Sequence, residues 1–419
     1  MNIEPYLKLM AQQGASDMFF TTGAPVSIKV EGHFKPVSKQ ALQPGLIKRI
    51  AYSLMSEEQI KEFEETREMN LGISMMNLGR FRVNIYVQRG ETSMVIRYIR
   101  SVIPSIEELK LPPILKDLVM HNTGLIIVVG ATGSGKSTSL ASMIDFRNTN
   151  RMGHILTVED PIEFVYQHKK SIVGQREVGL DTLSYANALR EAMREAPDMI
   201  MIGEVRDRHT MEAAIGFADT GHLALTTLHA VNANQALDRI INMFPPDAKQ
   251  QILMDLSLNL RGIISQRLVP STSGKRVAAV EVMINTPYIS ELIRKGQMND
   301  IKEVMEKGGS VGMQTFDQSL FELYKAGQIT LQSALNHADS RGDLEWRINF
   351  GGGVKSLKQE EESLQFPSEM LDDAGLSEKA EKKGAAVEDE DDDDDFGSLL
   401  DDLTLPSEGG VDIDLDEGK

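Results

Sequence analysis

Apolar positions change their rhythm along this chain, and the change divides it. In NIEPYLKLMAQQGA, Ile3, Leu7 and Met10 fall on one side of a helical wheel, so the spacing predicts a helix. DMFFTTGAPVSIKVEGHFKPVS reads as a strand, a turn at 23–25, a strand over 26–30 and a turn at 31–32. LIKRIAYSLMSEEQIKEFEETRE is amphipathic at the helical period. MNLGISMMNLGRFRVNIYVQRGETSMVIRYI reads as three strands of an antiparallel sheet. Residues 1–100 are therefore expected to form a small α/β domain. Prolines punctuate the next stretch, SVIPSIEELKLPPILKDLV, which marks a linker over 101–116 with a hinge-like joint near 101–113.

Beyond residue 117 the apolar runs are short and unbroken. GLIIVV at 124–129 and MIMI at 199–202 suit parallel strands covered on both faces. HILTV at 154–158 also fits a strand, and TGHLALTTLHA at 220–230 reads as a strand with a histidine near each end. A strand–loop–helix series over 117–350 predicts a nucleotide-binding α/β core. Helical segments are expected to dominate from Asp247 onward, and NFGGGV closes the compact part. The remainder, 351–419, carries too little apolar surface to fold alone and is expected to be a disordered acidic tail.

Between the first of these runs and the helical pattern after it lies VVGATGSGKSTS, residues 128–139. Gly130, Gly135, Lys136 and Ser137 satisfy the pattern G-x-x-x-x-G-K-[ST]. Glycines let the backbone curl so that successive N–H groups converge on phosphate oxygens. Lys136 would reach the β- and γ-phosphates, and the Ser137 hydroxyl would sit on Mg²⁺. The whole loop, Gly130, Ala131, Thr132, Gly133, Ser134, Gly135, Lys136, Ser137 and Thr138, is the expected nucleotide-binding set. The helix that follows adds its N-terminal dipole to the site. A chance glycine-rich turn is the competing reading, and both flanks oppose it.

Two apolar runs end in acids. HILTVEDPIEF places Glu159 and Asp160 at a strand tip with Glu163 just beyond, and PDMIMIGEVRD places Glu204 at another. In open α/β sheets ligands bind outside the carboxyl ends of strands, so both groups are expected beside the phosphates. Hydrolysis needs a metal and a group that orients water. Glu204 is expected on the metal–water side and Glu163 at the water. Glu159 and Asp160 either share the metal with Ser137 and Glu204 or support its ligands. The alternative is that these acids cap helices or pair with arginine. His222 and His229 either sense the γ-phosphate or a neighbouring subunit, or are structural.

Charge sharpens this picture once it is located. The formal net charge is −18, and 357–419 holds 23 acidic residues against five lysines, which is the whole excess. A neutral body and an acidic tail disfavour nucleic-acid binding and a DNA-translocating role. Glu388 to Asp395 is an unbroken acidic run. Phe396, Leu399, Leu400 and Leu403 after it share one helical face, which leaves either a solvated tail or a docking motif for a basic partner. With 419 residues there is room for two or three domains, and with no cysteine there is no disulfide or cysteine-held zinc. No apolar run approaches the ~20 residues needed to span a bilayer, and no signal-peptide pattern opens the chain. A cytoplasmic protein without direct membrane insertion is expected.

Taken in order, these motifs resemble the type IV pilus retraction ATPases of the PilT/PilU family, within the secretion-superfamily ATPases. ASDMFFTTGAPVSIKVEG is similar to the family's PAS-like N-terminal domain, GATGSGKST to its Walker A, and TVEDPIEF to its Asp box. MIMIGEVRD resembles its Walker B with Glu204, and TGHLALTTLHA its His box. The match covers roughly residues 1–345. It implies a PAS-like domain followed by a RecA-like P-loop ATPase core, ATP and Mg²⁺ as ligands, and a hexameric ring with nucleotide at subunit interfaces. Arg82 and Arg97 would then be arginine fingers, with a sheet salt bridge as the plain alternative, and His229 would act at the γ-phosphate. INTPYISELIRKGQ and HADSRGDLEWRI look like the PilU side of the family. YISELIRKG keeps Leu292, Ile293 and Arg294 where PilT proteins read close to AIRNLIRE, but lacks the asparagine and the final acid. That departure implies an accessory to a PilT-type ATPase, acting on the platform protein PilC at the inner membrane. A regulatory ATP-binding subunit with little hydrolysis is the competing implication. Without cysteine the chain lacks the zinc module usual in extension ATPases.

Overall fold

In the computed structural model, residues 3–30, 32–75, 78–99 and 102–350 are described; the tail features expected over 351–419 lie outside them. Two sheets organise the described chain. The first is antiparallel and six-stranded, in the order β3-β2-β1-β6-β5-β4. Its strands are β1 (Asp17–Phe20), β2 (Ser27–Val30), β3 (His33–Pro36), β4 (Glu68–Met75), β5 (Gly79–Gln88) and β6 (Glu91–Ile99). Alternation decides its faces. Phe81, Val83 and Ile85 of β5 are buried against Leu7, Met10, Ile47 and Phe63 from the helices, while Arg80, Arg82 and Asn84 take the other face. The first helix, Glu4–Gln13, buries Leu7 and Met10 as the spacing predicts and stops at Gly14 in the left-handed region.

Local structure departs from the expected elements at two places. The single amphipathic helix expected after residue 46 is two, Leu46–Tyr52 and Glu57–Thr66. Ser56 restarts it with a capping box to Gln59, which satisfies orphan N–H groups that a continuous helix would not have. Strand β3 was not anticipated; its residues are exposed, so no burial pattern announces it.

The second sheet has seven strands, in the order β13-β12-β7-β11-β10-β8-β9. They are β7 (Gly124–Val129), β8 (Gly153–Glu159), β9 (Ser171–Glu177), β10 (Met199–Ile202), β11 (Leu223–Leu228), β12 (Leu260–Pro270) and β13 (Arg276–Ile284). All its pairings are parallel except β12–β13. Leu125, Ile127 and Val129 face one apolar cluster and Ile126 and Val128 the other, so the sheet is covered on both sides. That double burial explains the unbroken apolar runs. Helix dominates after residue 247 as expected, but the β12–β13 hairpin interrupts it. An apolar run such as RGIISQRLV cannot be told from a buried helix by periodicity alone. Strand β9 was likewise not anticipated.

Register brings the strand tips together. Val129 lies opposite Leu228, and Ile202 lies opposite both Val158 and Thr226, so β7, β8, β10 and β11 end at one edge. On the approach to this sheet, Ile106 and Leu111 from the proline-rich stretch are buried with Leu115, Leu140 and Met143. No helix among the described residues is long and apolar enough to cross a membrane.

Candidate functional site

The loop leaves β7 at Gly130 and runs into the helix Lys136–Asn150, whose N-cap is Gly135 at φ +90°. A Cβ on Gly130 would lie 2.4 Å from Ser134 Oγ and 2.6 Å from the Gln266 carbonyl oxygen, so only glycine fits. Gln266, on β12, braces the loop from behind. Its Nε2 donates to the Ser134 carbonyl at 2.9 Å, and its Oε1 accepts from Ser139 Oγ at 2.6 Å. Lys136 Nζ donates to the carbonyls of Gly130 at 2.8 Å and Ala131 at 3.0 Å. An ammonium has three protons, so one remains for a phosphate. Burial holds the Lys136 pKa below its usual value, against the opposing pull of Glu204 and Glu163.

The expected acids do gather at this edge. Ser137 Oγ donates to Glu163 Oε1 at 2.8 Å. Glu159 is buried and does not reach Ser137 directly. Its Oε1 accepts from Thr157 Oγ1 at 2.7 Å and Gln175 Nε2 at 3.2 Å, and its Oε2 faces the Glu163 amide at 3.4 Å. Burial pushes the Glu159 pKa up to about 7. Glu204 is held on both oxygens, Oε1 by His229 Nε2 and Oε2 by Arg206 Nε, each at 2.8 Å. Arg206 also approaches Asp160 Oδ2 at 3.6 Å, so one guanidinium ties the tips of β8 and β10 together.

These groups enclose a cavity of about 370 Å³ lined by Thr132, Gly133, Lys136, Ser137, Glu163 and His229, with Glu159, Asp160 and Glu204 also in its wall. Gly130, Ala131 and Ser134 face a second cavity of about 350 Å³ with Arg267, Arg276 and His337. Thr138 and Gly135 face a third, of about 910 Å³, that reaches Lys110 and Gln328. The loop therefore stands between three openings.

Among the described residues no group of three or more His, Asp or Glu is arranged to hold a metal by itself. Magnesium keeps waters and takes one or two carboxylates plus substrate phosphates. The Ser137 hydroxyl, with the Glu204 carboxylate in the wall of the same cavity, fits that donor set.

Three expected residues lie elsewhere. His222 sits at the far end of β11, edge-on to the Phe217 ring at 5.8 Å and within 3.2 Å of the Phe217 carbonyl. Arg97 Nε donates to Asp17 Oδ1 at 2.8 Å within the first sheet, and Arg82 lies opposite Arg97 across β5 and β6. Neither arginine lines the cavity of its own chain. Gln266, Gln175 and Arg206 went unnoticed in the sequence. The first was visible as an amide inside an apolar run, and the last as an arginine within the GEVRD segment that carries Glu204.

A phosphate-binding loop on a parallel sheet, with two carboxylates and a histidine across the cavity, defines a P-loop nucleotide-binding protein. The family described as "Type II/IV secretion system protein" matches residues 2–324, and the chain belongs to it. It is 53% identical over 352 residues to the type IV pilus ATPase PilU of Pseudomonas aeruginosa, covering 84% of this chain and 92% of that one. It is 41% identical over 338 residues to PilT of the same organism, covering 81% and 98%. A crystal structure of the pilus retraction motor PilT with bound ADP superposes with a TM-score of 0.77 at 42% identity, over 82% of this chain and 99% of that one.

Proposed function

We propose that this chain is a Mg²⁺-dependent ATPase that powers type IV pilus retraction as a PilU-type accessory beside a PilT-type motor. The convergence of Lys136, Ser137, Glu163, Glu204 and His229 on one cavity carries the reading. Similarity to PilU and to an ADP-bound PilT supports the choice of nucleotide and of task.

In this reading Lys136 and the loop amides, Gly130 through Thr138, bind and orient the phosphates. Ser137 and Glu204 would hold magnesium, which would supply charge neutralisation at the phosphates. Glu163 accepts a hydrogen bond from the attacking water and aligns it, and Glu159 fixes the Glu163 backbone. Glu204 occupies the opposite wall, where it orients water and metal ligands, with His229 holding its Oε1. Asp160 anchors Arg206. Arg82 and Arg97 act in a neighbouring subunit's site, which requires a ring. A homohexamer seated on PilC at the cytoplasmic face of the inner membrane fits that need.

One observation favours a second reading, a regulatory ATP-binding subunit with little hydrolysis. Both Glu204 oxygens are engaged at 2.8 Å, so the carboxylate must give up a partner before it serves water. Steady-state ATPase of the full chain, alone and mixed with its PilT-type partner, separates the two, with Glu204→Ala as control. Turnover that appears only on mixing and needs Glu204 supports the accessory motor. Strong turnover alone makes it autonomous, and turnover in the mixture without dependence on Glu204 supports the regulatory reading. Retraction in cells carrying Lys136→Ala tests the pilus role, which unchanged retraction would refute.

A further inference from the structure

The loop that carries Glu163 leaves a strand end whose carboxylate faces the Glu163 amide, and the carboxylate paired beside it on the next strand answers to the other sheet. Glu159 and Glu177 are register partners at the ends of β8 and β9, and the Val178 amide donates to the Glu159 carbonyl at 2.8 Å. Glu159 faces the Glu163 amide. Both acids are buried. Glu159 has its neutral partners Thr157 and Gln175 within the core, but Glu177 does not. Its Oε2 accepts no hydrogen bond, and the nearest charge is Arg80 Nη2 of β5 at 3.5 Å.

Arg80 belongs to the first sheet. It also lies 3.9 Å from Asp181 Oδ2, whose carboxylate accepts the Glu177 amide at 2.8 Å. The other charge facing Glu177 is Arg82, on the same strand. Gly72 on β4 makes room for this reach. A Cβ there would lie 3.2 Å from Arg80 Nη2 and 3.5 Å from Leu180 Cδ1. Burial raises the Glu177 pKa and the arginines oppose the rise, so the charged carboxylate depends on where β5 stands.

We infer that Arg80 and Glu177 are positioning residues whose ion pair ties the first sheet to the paired ends of β8 and β9, from which the Glu163 loop leaves, so that the sheet's placement sets the rate of hydrolysis. The inference rests on the reading of Glu163 as the group that aligns water. When β5 moves away, Glu177 loses its cation, and a buried carboxylate without one neutralises or swings out. Either response loosens the end of β9 that pairs with Glu159, and with it the placement of Glu163 relative to Ser137. Displacement of a catalytic group by about 1 Å can cost on the order of a hundredfold in rate. A ring in which the first sheet shifts between subunits would thereby hydrolyse only where the pair is closed.

Single-turnover ATP hydrolysis by the full-length chain, mixed with a PilT-type partner whose own P-loop lysine is replaced, tests this, with rate and half-saturation measured separately. Arg80→Gln and Glu177→Gln should each lower the rate roughly ten- to a hundredfold with half-saturation within about twofold. The double variant should fall no further, because both changes open one contact. Arg80→Lys should recover part of the loss. Wild-type rates in Arg80→Gln, additive losses in the double variant, or a change in half-saturation alone would overturn the inference. If Glu177→Gln does not fold, the Arg80→Gln and Arg80→Lys pair carries the test by itself. Glu163→Gln separates this from the underlying reading. A Glu163→Gln rate equal to wild type would sink the role of Glu163. An impaired Glu163→Gln beside unaffected Arg80 and Glu177 variants would sink only the coupling.

Discussion

Glu159→Gln should make the protein's stability less sensitive to rising pH. Glu159 is 6% exposed, and burial raises its pKa from 4.5 to about 7. At about 1.4 kcal/mol per unit, the charged form is disfavoured in the folded chain by about 3 kcal/mol. The sign follows from proton counts. Between 4.5 and about 7 the folded state binds more protons at this site than the unfolded state, so stability falls as pH rises. The loss begins near the unfolded value and is complete above the folded one. Between about pH 5.5 and about pH 8 it amounts to about 2 kcal/mol. Glutamine removes the titration and keeps an oxygen where Oε1 accepts from Thr157 and Gln175. Its amide nitrogen then faces only the long 3.4 Å contact from the Glu163 N–H. Glu281, also raised to about 7, is common to both proteins and cancels in the comparison. Thermal unfolding of nucleotide-free wild type and variant at matched ionic strength reads the difference. The variant's melting temperature should gain a few degrees relative to wild type between the two pH values. Parallel curves across that range would refute a titrating, desolvated Glu159.

Other changes probe the site itself. Lys136→Ala should abolish turnover and weaken nucleotide binding, and normal turnover would remove the loop from the reaction. Glu204→Gln should bind nucleotide within a few-fold of wild type while turnover falls roughly a hundredfold or more, as measured by calorimetry beside phosphate release; lost binding would make Glu204 structural. Gly135→Ala forces a side chain onto φ +90° with Gln266 Nε2 at 2.7 Å, so nucleotide affinity should fall by tenfold or more, at about 1–2 kcal/mol of backbone strain. Arg82→Ala subunits mixed with Lys136→Ala subunits should regain turnover that neither has alone, because an intact loop then faces an intact Arg82. No recovery in a mixed ring would return Arg82 to the sheet.

What the sequence alone determined was whatever neighbours along the chain decide. The loop from Gly130 to Thr138 was legible because consecutive backbone groups form the phosphate site. The strands at 124–129 and 199–202 were legible because double burial leaves no polar position. Tertiary structure decided which distant groups meet. Glu163 reaches Ser137 across 26 positions, and Gln266 braces the loop from 127 and 132 positions away. His222 and His229 look equivalent in sequence, yet a six-residue strand sets them at opposite ends, and only His229 touches Glu204. Arg97 offered two readings, and within one chain Asp17, 80 positions earlier, is its partner. Glu177 carries no motif at all; its place between Arg80 and the end of β8 follows from β9 pairing with β8 at the sheet edge. Short-range sterics and burial write a local pattern. The order of strands comes from packing the whole chain around its cores, and that order chose the partners of every side chain across the site.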